Sequence, residues 1–172
     1  MPIVAITSID KIPCLYHFTD RRNLDSIKAQ GGLHPLAELE KKGVVIPAAG
    51  GNQWSRDADA FKGMGKYVHL CFCEEHPMEF RARQDGRITE SIFLKIDPSV
   101  LKFEGVKFAP DVSNKAGVEL LDLAEAEKVI DFEVLYTRTE WSNQLIKERR
   151  KKVKKYEVLV PSFIPLKLIR NI

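Results

Sequence analysis

The chain has 172 residues, 44% hydrophobic and 30% charged, which suits one globular domain over residues 1–172 with a full core. No run approaches the ~18 apolar residues of a membrane span and the N-terminus lacks the order of a signal peptide, so a cytoplasmic monomer without a membrane partner is expected. The formal charge of +3 is uneven: Lys147, Arg149, Arg150, Lys151, Lys152, Lys154 and Lys155 surround a single acid, Glu148, while acids outnumber bases elsewhere.

Residues 15–18 read as a strand, after which Thr19 or Asp20 can cap a helix over 21–30 that Gly31-Gly32 ends. Residues 44–46 suggest a short strand. The glycine-rich stretch 50–65 around Trp54 and Arg56 reads as a long loop able to fold over a ligand. Residues 67–73 are β-like, and His76-Pro77-Met78 begins a helix, since proline fits a first helical turn. Strands are expected over 91–96 and 132–136, with a turn at Asp97-Pro98 and a helix over 118–128 between them. A helix over 141–152, a strand over 156–160 and a last strand over 166–169 complete the chain. Short strands without regular strand–helix alternation predict an α+β fold.

No phosphate-binding glycine loop of the Walker or Rossmann type is present; Gly63-Met64-Gly65 lacks a third glycine and precedes a strand. Cys14, Cys71 and Cys73 are an odd set, and the latter two lie too close in one run to bridge comfortably. His69, Cys71, Cys73 and His76 offer a zinc reading, but their spacing does not match paired knuckles, and small apolar cysteines in a buried strand explain them as well. No metal is therefore expected.

Glu157 carries more information. It is a lone carboxylate in the apolar run Tyr156-Glu157-Val158-Leu159-Val160, directly after the cationic segment. A strand that buries Val158 and Val160 on one face places Glu157 and Leu159 on the other. A carboxylate held in that way can be aimed into a cleft, or can stand at a solvent-facing position.

Leu15-Tyr16-His17-Phe18-Thr19, Asn23-Leu24 followed by Gly32-Leu33, Arg56, Tyr67-Val68-His69-Leu70-Cys71-Phe72, His76-Pro77-Met78 and Tyr156-Glu157-Val158-Leu159-Val160-Pro161 occur in an order that resembles the DarT family of DNA ADP-ribosyltransferase toxins. The likeness runs over most of the chain. It departs at Val68-His69-Leu70, where the family tends to have Val-Pro-Phe, and at His76-Pro77-Met78, where it tends to have Ser-Pro-Met.

The resemblance implies an ADP-ribosyltransferase-like split β-sheet core with peripheral helices, gripping NAD⁺ as co-substrate for glycosyl transfer. It assigns Glu157 and Arg56 to catalysis, and His17, Phe18, Thr19, Asn23, Gly32, Leu33, Arg56, Tyr67 and Met78 to NAD⁺ binding. The chemistry fits these types. Cleaving nicotinamide from ribose builds positive charge that an oriented carboxylate stabilises, and a guanidinium suits a pyrophosphate. Tyr136, Trp141, Arg149, Arg150, Lys151 and Lys154 then form an acceptor-binding region, because aromatic and cationic side chains together suit single-stranded nucleic acid. The expected reaction is transfer of ADP-ribose to a nucleobase in single-stranded DNA by a toxin with a macrodomain antitoxin partner. RNA or protein as acceptor, and a non-catalytic nucleic-acid-binding module, remain open.

Overall fold

The computed structural model describes residues 12–45, 47, 64–112, 115, 117–136, 140 and 142–172. Arg56 and Trp141 lie outside these, as does nearly all of the glycine-rich stretch.

A five-stranded antiparallel sheet organises the molecule, in the order β4-β1-β3-β6-β5. Its strands are β1 (Leu15–Asp20), β3 (Val68–Cys71), β4 (Ser91–Ile96), β5 (Lys107–Ala109) and β6 (Glu157–Val160). A separate pair joins β2 (Gly32–Leu33) to β7 (Ile164–Pro165). β1 and β4 are in register along all six residues of each strand, from Leu15 opposite Ile96 to Asp20 opposite Ser91. β3, β6 and β5 form a second block, with Cys71 and Ala109 on either side of Glu157. Between the blocks the register is limited, among the described residues, to Tyr16 opposite Cys71. The sheet is thus two ladders meeting at one short seam, as expected for a split sheet.

Strand alternation partitions the core. Leu15, Leu70, Leu94, Ile96, Val158 and Val160 belong to the main apolar cluster, which also takes in Ala126, Ile130, Phe132, Val134 and Val153. These last five come from α4 (Leu123–Val129), α5 (Phe132–Tyr136), α6 (Gln144–Val153) and the residue that ends α4. Leu159 points the other way, into a smaller cluster with Met64, Tyr67 and Ala109. Both faces of β6 are therefore buried, one against each apolar cluster.

Local chemistry fixes several boundaries. Asp20 accepts from the Arg22 amide and caps a 3-10 turn, Arg21–Asn23, that leads into α1 (Leu24–Ala29). α2 (Leu36–Lys41) follows β2. His76 caps α3 (Pro77–Gln84), its Nδ1 accepting from the Met78 amide.

Five expectations change. Residues 132–136, rich in β-favouring side chains, form helix α5, because burial of Phe132 and Val134 against the core overrides propensity. The expected helix over 118–128 begins only at Leu123, where Asp122 and Glu125 make a reciprocal capping box; Leu121 instead bridges to Phe108. Residues 166–169 start as a 3-10 turn after Pro165, with Ile169 bridging to Ile96. Residues 44–45 form no strand, and Val45 is 85% exposed. The strand at residues 67–73 is confined to Val68–Cys71.

Candidate active site

Glu157 opens β6 and is 6% exposed. Its carboxylate meets a histidine on the neighbouring strand: His69 Nδ1 lies 3.1 Å from Glu157 Oε1. The register explains the contact, since Cys71 stands opposite Glu157 and His69 is two residues away on the same face. The other ring nitrogen of His69, Nε2, donates to the Met64 carbonyl at 3.0 Å. Tyr67 lines the same side with Met64, Ala109 and Leu159, and the Lys66 ammonium lies 5.3 Å from its ring centre.

Across the seam, His17 Nδ1 donates to the His69 carbonyl at 2.9 Å. Burial lowers the His17 pKa, the positive potential of His69 adds to this, and the bond to the carbonyl opposes it. The ring is therefore held neutral at neutral pH with its proton on Nδ1, which leaves Nε2 as an acceptor. Thr19 and Asn23 are buried beyond it, Asn23 Nδ2 donating to Thr19 Oγ1 at 2.9 Å. Phe18 stacks on His76 with 6.0 Å between ring centres.

His76 ties α3 to the entrance of β6. Beyond capping the helix, its Nε2 donates to the Lys155 carbonyl at 3.4 Å. Burial lowers its pKa, while the Glu157 carboxylate works in the opposite direction. Met78, half-buried, sits in the first turn of α3. Cys71 is buried and its thiol is pushed well up by burial, so it stays protonated. Among the described residues no group of three or more His, Cys, Asp or Glu side chains is disposed to hold a metal.

Gly32 and Leu33 serve the framework. Gly32 has φ +147°, and a Cβ there would lie 2.0 Å from the Ile164 carbonyl oxygen, so only glycine lets β2 approach β7. Leu33 is in the main core.

The structure separates the members of the expected acceptor region. Tyr136 is half-buried, stacked on Phe132 and packed against the core, and its hydroxyl is buried. Arg149 forks onto Asp131 and also reaches Glu133. Arg150 and Lys154 both approach Glu75, at 3.8 and 3.7 Å. Lys147, Lys151 and Lys152 are exposed on α6. The cationic segment is thus a helix whose cations divide between framework and solvent.

His17, His69 and Glu157 are linked at the seam from β1, β3 and β6, while Thr19 and Asn23 bond to each other at the end of β1 and in its adjoining turn. Sequence reasoning gave His69 a chemical role only as a possible zinc ligand and otherwise counted it as a departure from the family's strand pattern. Alternation along residues 67–73 gave its face, but its partner lies 88 residues away and depends on the β3–β6 pairing.

The comparisons agree with this architecture. The chain is similar to Thermus sp. 2.9 DarT in complex with ADP-ribosylated ssDNA, at 16% identity and a TM-score of 0.67 over 92% of this chain and 79% of that one. It is also similar to the same protein in complex with NAD⁺, at 20% identity and a TM-score of 0.63 over 93% of this chain and 80% of that one. Thermosipho africanus DarTG in complex with ADP-ribose is similar at 15% identity and a TM-score of 0.65; this chain covers 42% of that longer one and 91% of itself aligns. No curated protein matches. The sequence profile described as DarT, ssDNA thymidine ADP-ribosyltransferase, matches residues 16–172, and the chain therefore belongs to the DarT family of NAD⁺-dependent ADP-ribosyltransferases.

Proposed function

We propose that this protein transfers ADP-ribose from NAD⁺ to a thymidine base of single-stranded DNA, with Glu157 as the catalytic carboxylate. The observation that carries the assignment is a carboxylate buried on the central strand of the second ladder and in contact with His69, on the strand that borders the seam. In the reaction the bond between nicotinamide nitrogen and ribose C1′ breaks and its electron pair leaves with neutral nicotinamide. The cationic ribose carbon is stabilised by Glu157. The base forms the new bond to C1′, and its displaced proton passes to the carboxylate acting as general base.

His17, with Nε2 available as an acceptor, and the buried Thr19 and Asn23 hold the nicotinamide riboside. Phe18, Tyr67 and Met78 wall the cleft, and Gly32 and Leu33 maintain its floor through β2. Arg56 takes the pyrophosphate. Lys151 and its exposed neighbours on α6 meet DNA phosphates, with Trp141 as a stacking surface near the start of that helix. The chain acts as the toxin of a pair whose antitoxin is a macrodomain that removes the modification, a role supported by its likeness to the longer Thermosipho DarTG chain.

Labelled NAD⁺ incubated separately with single-stranded DNA, RNA and a cell lysate tests the reading. Label is expected on thymidine-containing DNA with the wild type, and Glu157→Gln is expected to reduce it by roughly 10²–10³-fold. Equal labelling by both proteins would remove Glu157 from the mechanism. Label on RNA or protein alone would reassign the acceptor.

A further inference from the structure

We propose that His69 is the positioning residue for Glu157, holding one proton as an imidazolium clamped between the carboxylate and the Met64 carbonyl. This rests on Glu157 being the catalytic carboxylate. The hydrogen-bond geometry requires the proton. A carbonyl oxygen can only accept, so the contact from His69 Nε2 to Met64 O at 3.0 Å places a proton on Nε2. A carboxylate oxygen also only accepts, so the 3.1 Å contact between Nδ1 and Glu157 Oε1 needs a second proton, between those two atoms. With a neutral ring and an ionised Glu157, two lone pairs would face each other across a contact whose carboxylate is 8% exposed. Imidazole is the stronger base of the two, so the proton resides on the ring and the pair is an imidazolium–carboxylate ion pair.

The surroundings favour this arrangement. From β1, His17 presents a ring kept neutral by burial, and from the start of α3 so does His76. Cys71 on β3 keeps its thiol proton. Glu79, the acid within α3, is engaged by Arg83 and Ser91. Lys66 lies over the Tyr67 ring. Of the three imidazoles, His69 alone touches the Glu157 carboxylate among the contacts described. The charged donor fixes the rotation of the carboxyl group before ligand arrives, and a single oriented carboxylate is what a developing ribose cation requires.

The proton also gives the site an alkaline limit. As pH rises and His69 loses its Nδ1 proton, the clamp on Oε1 opens. An asparagine at this position can donate to the carboxylate but has no proton to lose near neutrality.

Side-chain ¹⁵N shifts of His69 in the full-length protein, followed between about pH 6 and 8, report the proton directly. Both ring nitrogens are expected in the protonated range where His17 and His76 are already neutral, and Glu157→Gln should return His69 to a neutral ring at lower pH. In kinetics, His69→Phe should lower kcat about tenfold or more with KM for NAD⁺ little changed. His69→Asn should restore most of kcat and abolish its alkaline fall. A neutral His69 with bare Nδ1 across the range, or a His69→Asn pH profile superimposable on the wild type, would overturn the proposal. If Glu157→Gln transfers ADP-ribose at the wild-type rate, the catalytic assignment fails instead, and the nitrogen shifts still decide where the proton is.

Discussion

Arg149 on α6 forks onto Asp131 ahead of α5, with Nε and Nη2 each 2.7 Å from a different carboxylate oxygen. The arginine holds the Asp131 carboxyl below its usual range, with burial opposing. This cation fastens the basic helix to the rest of the fold. Arg149→Ala is expected to lower Tm measurably, because it removes the forked pair of hydrogen bonds to Asp131. A thermal-melt double-mutant cycle with Asp131→Ala should show coupling between the two sites, and strict additivity would remove the framework role.

Reversing Lys147, Lys151 and Lys152 to glutamate should act differently. These side chains are exposed, so Tm should change little, whereas affinity for single-stranded DNA should drop. The slope of log K against log salt should become shallower by about 2, on the basis of ~0.7 per phosphate contact. A salt titration that leaves the slope unchanged would place the DNA elsewhere on the surface.

Asp20 is fully buried and accepts from the Arg22 side chain and from the amides of Arg22, Thr89 and Glu90. The Arg22 guanidinium holds its carboxyl well below the usual carboxylate range, burial opposes this, and the three amides reinforce it. The unfolded chain, with a value of about 3.9, therefore protonates first. The stabilisation is complete above about pH 5 and is lost as pH falls below ~4 toward the folded value. Asp20→Asn should lose about 1–3 kcal/mol at neutral pH and show a flatter decline in acid, measured by urea melts at several pH values.

His76 contributes with the same pH direction for a different reason. Burial lowers its folded pKa, so in mild acid the unfolded chain again binds the proton more readily. Stability from this group is full above about pH 6.5 and falls as pH drops through that value. His76→Asn preserves an acceptor for the Met78 amide and should weaken the loss of stability below neutrality. His17, lowered by burial as well, retains part of it.

Gly32→Ala should destabilise by about 2 kcal/mol or more, since both the backbone angle and the approach to the Ile164 carbonyl are forbidden to a side chain. Loss of protection at the β2–β7 amides in hydrogen exchange would accompany the fall in Tm. A neutral result would mean that β2 can move without cost.

Part of the candidate site's geometry was legible because it depends on local rules. Alternation in residues 157–160 already put Glu157 on the face opposite Val158 and Val160, Asp20 announced a helix start through capping chemistry, and Pro77 did so as a residue suited to a first helical turn. What stayed hidden depended on distant partners. Phe132 and Val134 look like strand residues until the core they fill is known, and His69 finds Glu157 only after β3 pairs with β6. The cationic segment shows the same limit, since Arg149 acquires its role from Asp131, a residue on the other side of α5.

The His17 contact has one more consequence. Where the β1–β3 ladder stops, a side chain instead of a backbone amide reaches the His69 carbonyl, so one imidazole rivets the two halves of the sheet together. If His17 has its proposed role, the residue that holds the nicotinamide riboside is also a joint between the two ladders. On that proposal a substitution at His17 is expected to leave two signatures: a weaker grip on NAD⁺, and a domain whose two ladders move apart more easily because the bond to the His69 carbonyl is lost.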